Sequence, residues 1–126
     1  MGLRHGIVWM DHQSALVLQF DSEQVLSQHI ERHTHPTPQH GSGVRAEHEY
    51  YGKVCNALEE IGEIIVAGSH TALADFRHYA DKHRPLIAAR IIAYEVAERL
   101  SQKQLLALAR PHFLRHDQRE GSGVLH

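Results

Sequence analysis

The chain has little of several things, and each shortage narrows its reading. One cysteine among 126 residues, Cys55, leaves no internal disulfide, and a reducing compartment is the expected setting. No apolar run approaches the ~20 residues that a membrane-spanning helix needs. The opening "MGLRHGIVWMDH" has too few consecutive apolar residues for a secretory leader, and "MGLRHG" lacks the Ser or Thr of a myristoylation signal. Neither sign of charge dominates. Lys and Arg number 13 against 15 Asp and Glu, so no global basic field draws nucleic acid to the surface. A phosphate loop with its glycines and Lys is missing as well. The expectation is a cytoplasmic soluble domain with no membrane partner.

What is present is an ordinary folding composition, 42% apolar and 22% charged, in a chain of single-domain length. Histidine is the exception, with 13 copies. At an unperturbed pKa of ~6.5, modest acidification would turn their surroundings positive.

Periodicity supplies the elements. "GIVWM" (6–10) and "ALVLQF" (15–20) are short β-rich runs separated by the polar "DHQS", which reads as a hairpin turn with Asp11 capping its own backbone. "FDSEQ" offers a second turn, and "VLSQHIERH" extends a third strand. A His-, Pro- and Gly-rich loop at 34–45 follows. From about Ala46, the positions Tyr50, Tyr51, Val54, Cys55, Leu58 and Ile61 form an amphipathic helical stripe that Gly62 ends. "EIIVAG" reads as a buried strand, and "SHTALADFRHYADKH" as a helix with Ser69 at its N-cap, stopped by Pro85. "ARIIAYEV" is another buried strand. "SQKQLLALARPHF" is a final helix capped by Ser101. The expected fold is α/β: βββαβαβα, a mixed five-stranded sheet with helices on both faces and ribonuclease H-like topology. One domain over 1–114 and a flexible C-terminal tail over 115–126 complete the expected organisation.

Several residues carry chemistry. On an extended strand His29, Glu31, His33 and His35 would share one face, a donor set that zinc accepts, so a metal-dependent hydrolase is one reading. A solvated His-rich edge strand is the competing one. Asp11 at the end of the first strand invites a nuclease role, but Asp75, Glu95 and Glu98 share no evident meeting point with it. Ser69, His70 and Thr71 at a strand-to-helix junction suit an anion, or simply cap the helix. Arg32, Arg45, Lys53, His33, His35 and His40 would give the loop region a positive face, offset by Glu31, Glu47 and Glu49. Cys55 and Trp9 read as core.

The segment "EIIVAGSHTALADFRHYADKHRPLIAARIIAYEV" resembles the central domain of archaeal and eukaryotic class-1 release factors and of Pelota. Small bacterial proteins known as translational machinery proteins match more closely, through "VWMDHQSALV", "QHIERHTH", "VAGSHTALADF" and "QLLALARPHF". The resemblance spans about residues 5–113. In the release factors the loop before the first helix carries a Gly-Gly-Gln tip that enters the peptidyl-transferase centre. This chain has "HGSGV" there, with no Gly-Gly-Gln, and Gln39 precedes the glycines. The resemblance therefore implies a non-catalytic module that contacts ribosome or tRNA, in stress, ribosome rescue or hibernation. Its contacts would be the loop residues His33, His35, His40, Gly41, Ser42, Gly43 and Arg45. No cofactor is expected beyond an adventitious or weak divalent ion at the His-rich segment, through His29, His33 and His35. The alternatives are the metal-dependent hydrolase and a self-associating domain that forms a homodimer through an open sheet edge or an exposed helix stripe.

Overall fold

The computed structural model describes residues 4–33 and 42–124, with side chains over 4–33 and 43–119. The elements run β1 (His5–Met10), β2 (Ser14–Phe20), β3 (Val25–Glu31), α1 (Ser42–Leu58), β4 (Glu63–Gly68), α2 (His70–His83), α3 (Pro85–Ala88), β5 (Ile91–Val96) and α4 (Gln102–Val124). The sheet order is β3-β2-β1-β4-β5. β1–β2 and β2–β3 are antiparallel, whereas β1–β4 and β4–β5 are parallel. This is the mixed five-stranded, ribonuclease H-like arrangement that the element pattern implies.

Strand alternation divides the inward side chains between two cores. Val8 and Met10 of β1, Ala15 and Val17 of β2, and Ile64 and Val66 of β4 face α1 and α2. Ile7 and Trp9, Leu18 and Phe20, and Ile65 and Ala67 face α4. Both faces are covered, which is why β1 and β4 read as continuous apolar runs instead of alternating ones. Burying each large aliphatic side chain contributes about 1.5–3 kcal/mol. α1 supplies Tyr50, Tyr51, Val54, Cys55 and Leu58 to the first core, and α2 supplies Leu73, Phe76 and Ala80. Leu105, Ala109 and Phe113, four residues apart on α4, line the second.

Local chemistry sets the boundaries. Asp11 Oδ1 accepts the Gln13 and Ser14 backbone N–H at 2.8 Å each, and Asp21 Oδ1 does the same for Glu23 and Gln24. Both hairpin loops are thus closed by an aspartate. Those two bonds hold the Asp21 carboxyl below its ordinary pKa. Ser101 and Gln104 form a capping box: Gln104 N–H donates to Ser101 Oγ at 3.2 Å and Ser101 N–H to Gln104 Oε1 at 2.9 Å. Pro85 opens α3 after Arg84 closes α2. At Gly68 (φ 155°) a side chain would overlap the Met10 carbonyl oxygen, so glycine lets β4 pass the end of β1 this closely.

Two boundaries differ from the sequence reading. α1 begins at Ser42, not near Ala46, so the last residues of the expected 34–45 loop are helical. α4 runs through Pro111 to Val124, so a boundary at 114 cuts a continuous helix. A proline removes one helical hydrogen bond. Here the helix is anchored on both sides of it, by Leu105 and Ala109 before and by Phe113 and Asp117 after.

Two adjacent tyrosines separate packing from hydrogen bonding. Tyr50 Oη donates to the Asp11 carbonyl at 2.9 Å, whereas Tyr51 Oη is buried with no hydrogen-bond partner. Burial pushes both phenols well above their ordinary pKa. Urea unfolding should show Tyr50→Phe losing about 1 kcal/mol, with Tyr51→Phe neutral or stabilising.

Candidate functional site

Topology gathers most of the candidate residues at one end of the sheet. β3 is antiparallel to β2, which is antiparallel to β1, so β1, β3, β4 and β5 all finish at the same end. α1, α2 and α4 begin there, because each follows one of those strands. A helix start carries roughly half a positive charge and unpaired N–H groups, so three of them bias this end toward anions.

Specific bonds fix its parts. Arg32, one residue past β3, donates from Nη2 to the Gly43 carbonyl at 2.8 Å and lies 4.0 Å from Glu47. The two ends of the intervening segment are therefore held together. Tyr50 ties α1 to the β1–β2 turn through the Asp11 carbonyl. His12 Nε2 meets Asp75 Oδ2 at 3.0 Å, joining that turn to α2. The β5–α4 connection is pinned twice. Trp9 Nε1 donates to the Ala97 carbonyl at 3.2 Å, and Arg99 Nη2 to Ser14 Oγ at 2.8 Å, with its guanidinium 5.2 Å from the Trp9 ring centroid.

The expected contact residues fall as follows. His35, His40 and Gly41 lie outside the described residues. His33 is exposed just beyond β3, Ser42 and Gly43 open α1, and Arg45 is exposed on its first turn. Ser69 occupies the N-cap position of α2, but its side chain makes no capping bond, and His70 and Thr71 are exposed beside it. The capping use expected of the Ser69 hydroxyl is thus not made. His29 is exposed on β3, with Nδ1 3.9 Å from Glu31 Oε1. β3 ends at Glu31, so the strand alternation that would place His33 on the His29 face stops before it. Among the described residues, His29 and His33 belong to no converging three-ligand set.

The nuclease carboxylates are engaged separately. Asp11 closes its turn, Asp75 pairs with His12, and Glu95 with His112 at 3.3 Å. Burial pushes the Cys55 thiol up to about 11, so it stays protonated and acts as a core side chain.

The opposite end of the sheet carries a cluster that sequence spacing does not announce. His5 and Glu63, opening β1 and β4, are register partners on adjacent parallel strands. His116 and Asp117 reach them from the later turns of α4. The hydrogen bond to Glu63 raises the Arg4 pKa still further.

The site-bearing fold is thus a three-layer α/β domain whose strand ends present one segment between β3 and α1. No protein-family model matches the sequence, and no curated protein matches it. Solved structures are similar in fold. Pelota from Archaeoglobus fulgidus superposes with a TM-score of 0.60 at 16% identity, covering 86% of this chain and 31% of that one. An archaeal translation termination factor gives 0.58 at 16% identity, covering 80% and 32%. Pelota from Thermoplasma acidophilum gives 0.57 at 18%, covering 81% and 30%. The chain therefore spans about a third of the length of each.

If Asp11 serves the turn and not a reaction, its acceptor oxygen is what matters. Asp11→Asn should then leave the urea midpoint nearly unchanged, while Asp11→Ala should cost about 1–2 kcal/mol.

Proposed function

We propose that this chain is a non-catalytic, translation-associated module that contacts ribosomal RNA or tRNA through the carboxyl end of its sheet. The observation that carries the reading is the convergence of three helix starts on the end from which segment 34–41 emerges, its root held by the Arg32–Gly43 bond. Phosphate groups suit such an end, because oriented N–H groups and helix dipoles favour negative charge without a large basic surface. The fold likeness to Pelota and to a translation termination factor supports the same direction. By the sequence resemblance the segment would correspond to the release-factor tip, and it lacks Gly-Gly-Gln. Its role in this reading is contact, not ester hydrolysis.

The charges set the strength. Arg32 lies 4.0 Å from Glu47, and Asp11 and Asp75 add negative charge at the same end to offset Arg45 and Arg99, so few phosphates are neutralised and binding is weak and salt-sensitive. The root also shapes the test. Replacing 35–41 with Gly and Ser of equal length spares both α1 and the Arg32 bond, whereas a 36–44 deletion would cut into the helix.

Purified chain should cosediment with ribosomes at low salt. The 35–41 replacement and Arg45→Glu should each weaken that binding. For isolated RNA, Arg45→Glu should lower the slope of log K against log salt by about 0.7–0.9 for the phosphate contact it removes. Absence of cosedimentation at any salt and growth phase would sink the reading.

A further inference from the structure

The cluster at the amino end of the sheet plays no part in the proposed contact, and its geometry is that of a coordination site. His5 Nε2 lies 3.1 Å from Glu63 Oε1 and 3.1 Å from Asp117 Oδ2. One imidazole nitrogen carries at most one proton, so it cannot give two carboxylates a full hydrogen bond each. A cation among the three atoms removes the conflict, because all three then act through lone pairs. The three ligand atoms lie within 4.8 Å of one another. Ligands about 2.0–2.2 Å from a tetrahedral zinc sit about 3.3 Å apart, close to the two short separations here. Asp117 Oδ1 adds to the argument: it is buried and accepts no hydrogen bond, with Arg4 Nη2 3.5 Å away as an ion-pair contact only.

The surroundings orient the donors. The His5 ring stacks on Phe113, centroids 4.4 Å apart, which fixes the plane in which Nε2 points. His116 Nε2 sits 2.9 Å from Glu63 Oε2, the second oxygen of that carboxylate, where an outer-shell partner would hold a ligand. Arg4 is 67% exposed, so its guanidinium can swing away from Glu63 Oε1 as a cation enters. A groove of about 320 Å³ opens beside His5 and Asp117, walled by Phe20, Arg110 and Phe113.

We propose that His5, Glu63 and Asp117 bind a divalent transition metal of the zinc type, with His116 orienting Glu63. One imidazole and two carboxylates are donors that zinc accepts, and three protein ligands leave one coordination position for water or a small anion. The site is separate from His29, on the edge strand β3, and from His33 just beyond it.

Tag-free full-length chain, stripped with chelator and desalted, tests it by titration with Co²⁺ followed by Zn²⁺. One equivalent of Co²⁺ should give visible d–d absorption, and one equivalent of Zn²⁺ should abolish it. His116→Gln should weaken binding about 10–100-fold, as loss of an outer-shell partner does. His5→Gln and Asp117→Asn should weaken it more, while a His29→Gln/His33→Gln variant should bind as the wild type does. Wild-type NMR keeps the test open if a variant misfolds. Co²⁺ should broaden signals around 4–6, 63 and 113–117. Absence of stoichiometric binding would overturn the proposal. So would binding that survives His5→Gln and Asp117→Asn, or broadening confined to 27–33.

Discussion

The structure depends on the parallel pairing of β1 with β4 at the middle of the sheet. Its register, from His5 opposite Glu63 to Met10 opposite Gly68, sets which side chains enter each core and what meets at each end. A slip of one residue would send Ile64 and Val66 to the α4 face and Ile65 and Ala67 to the other, exchanging both cores at once. Gly68 guards the pairing at its carboxyl end, where only a residue without Cβ fits against the Met10 carbonyl. The same register places two ionisable residues side by side at the amino end. Fold and sites therefore share one determinant.

The two ends of the sheet differ physically. At the carboxyl end, charges are used one at a time, to close a turn, join a turn to a helix or clamp the root of a segment. Backbone groups and helix dipoles supply its character, which suits a diffuse anionic partner. At the amino end, side chains from β1, β4 and α4 converge on one small volume. Helix α4 links the ends: its start is pinned beside Trp9 and Ser14, and its later turns deliver His116 and Asp117.

Much of the fold was legible in the sequence because its signals are local. "EIIVAG" marks β4 residue for residue, Ser101 caps α4, and Asp11 closes the turn that its neighbours announce. The start of α1 was not legible, since "GSGV" has no helical preference and the residue that grips it, Arg32, lies on the far side of the loop. The length of α4 was hidden by Pro111 and by a polar stretch whose partners are remote. The cluster at the amino end was hidden most deeply. His5 and Asp117 are 112 positions apart and meet only through the β1–β4 register and the packing of Phe113. The expected histidine set rests on strand alternation continuing past Glu31, where β3 ends, and its His35 lies outside the described residues.

The central claim is that the carboxyl end of the sheet faces nucleic acid. A photo-crosslinking amino acid placed at Arg45, and separately at the exposed Leu86 of α3 near the amino end, tests it directly in ribosome-bearing extracts. The account predicts ribosomal or transfer RNA cross-links from position 45 and none above background from position 86. Equal RNA cross-linking at both positions, or cross-links from position 45 to protein alone, would contradict it.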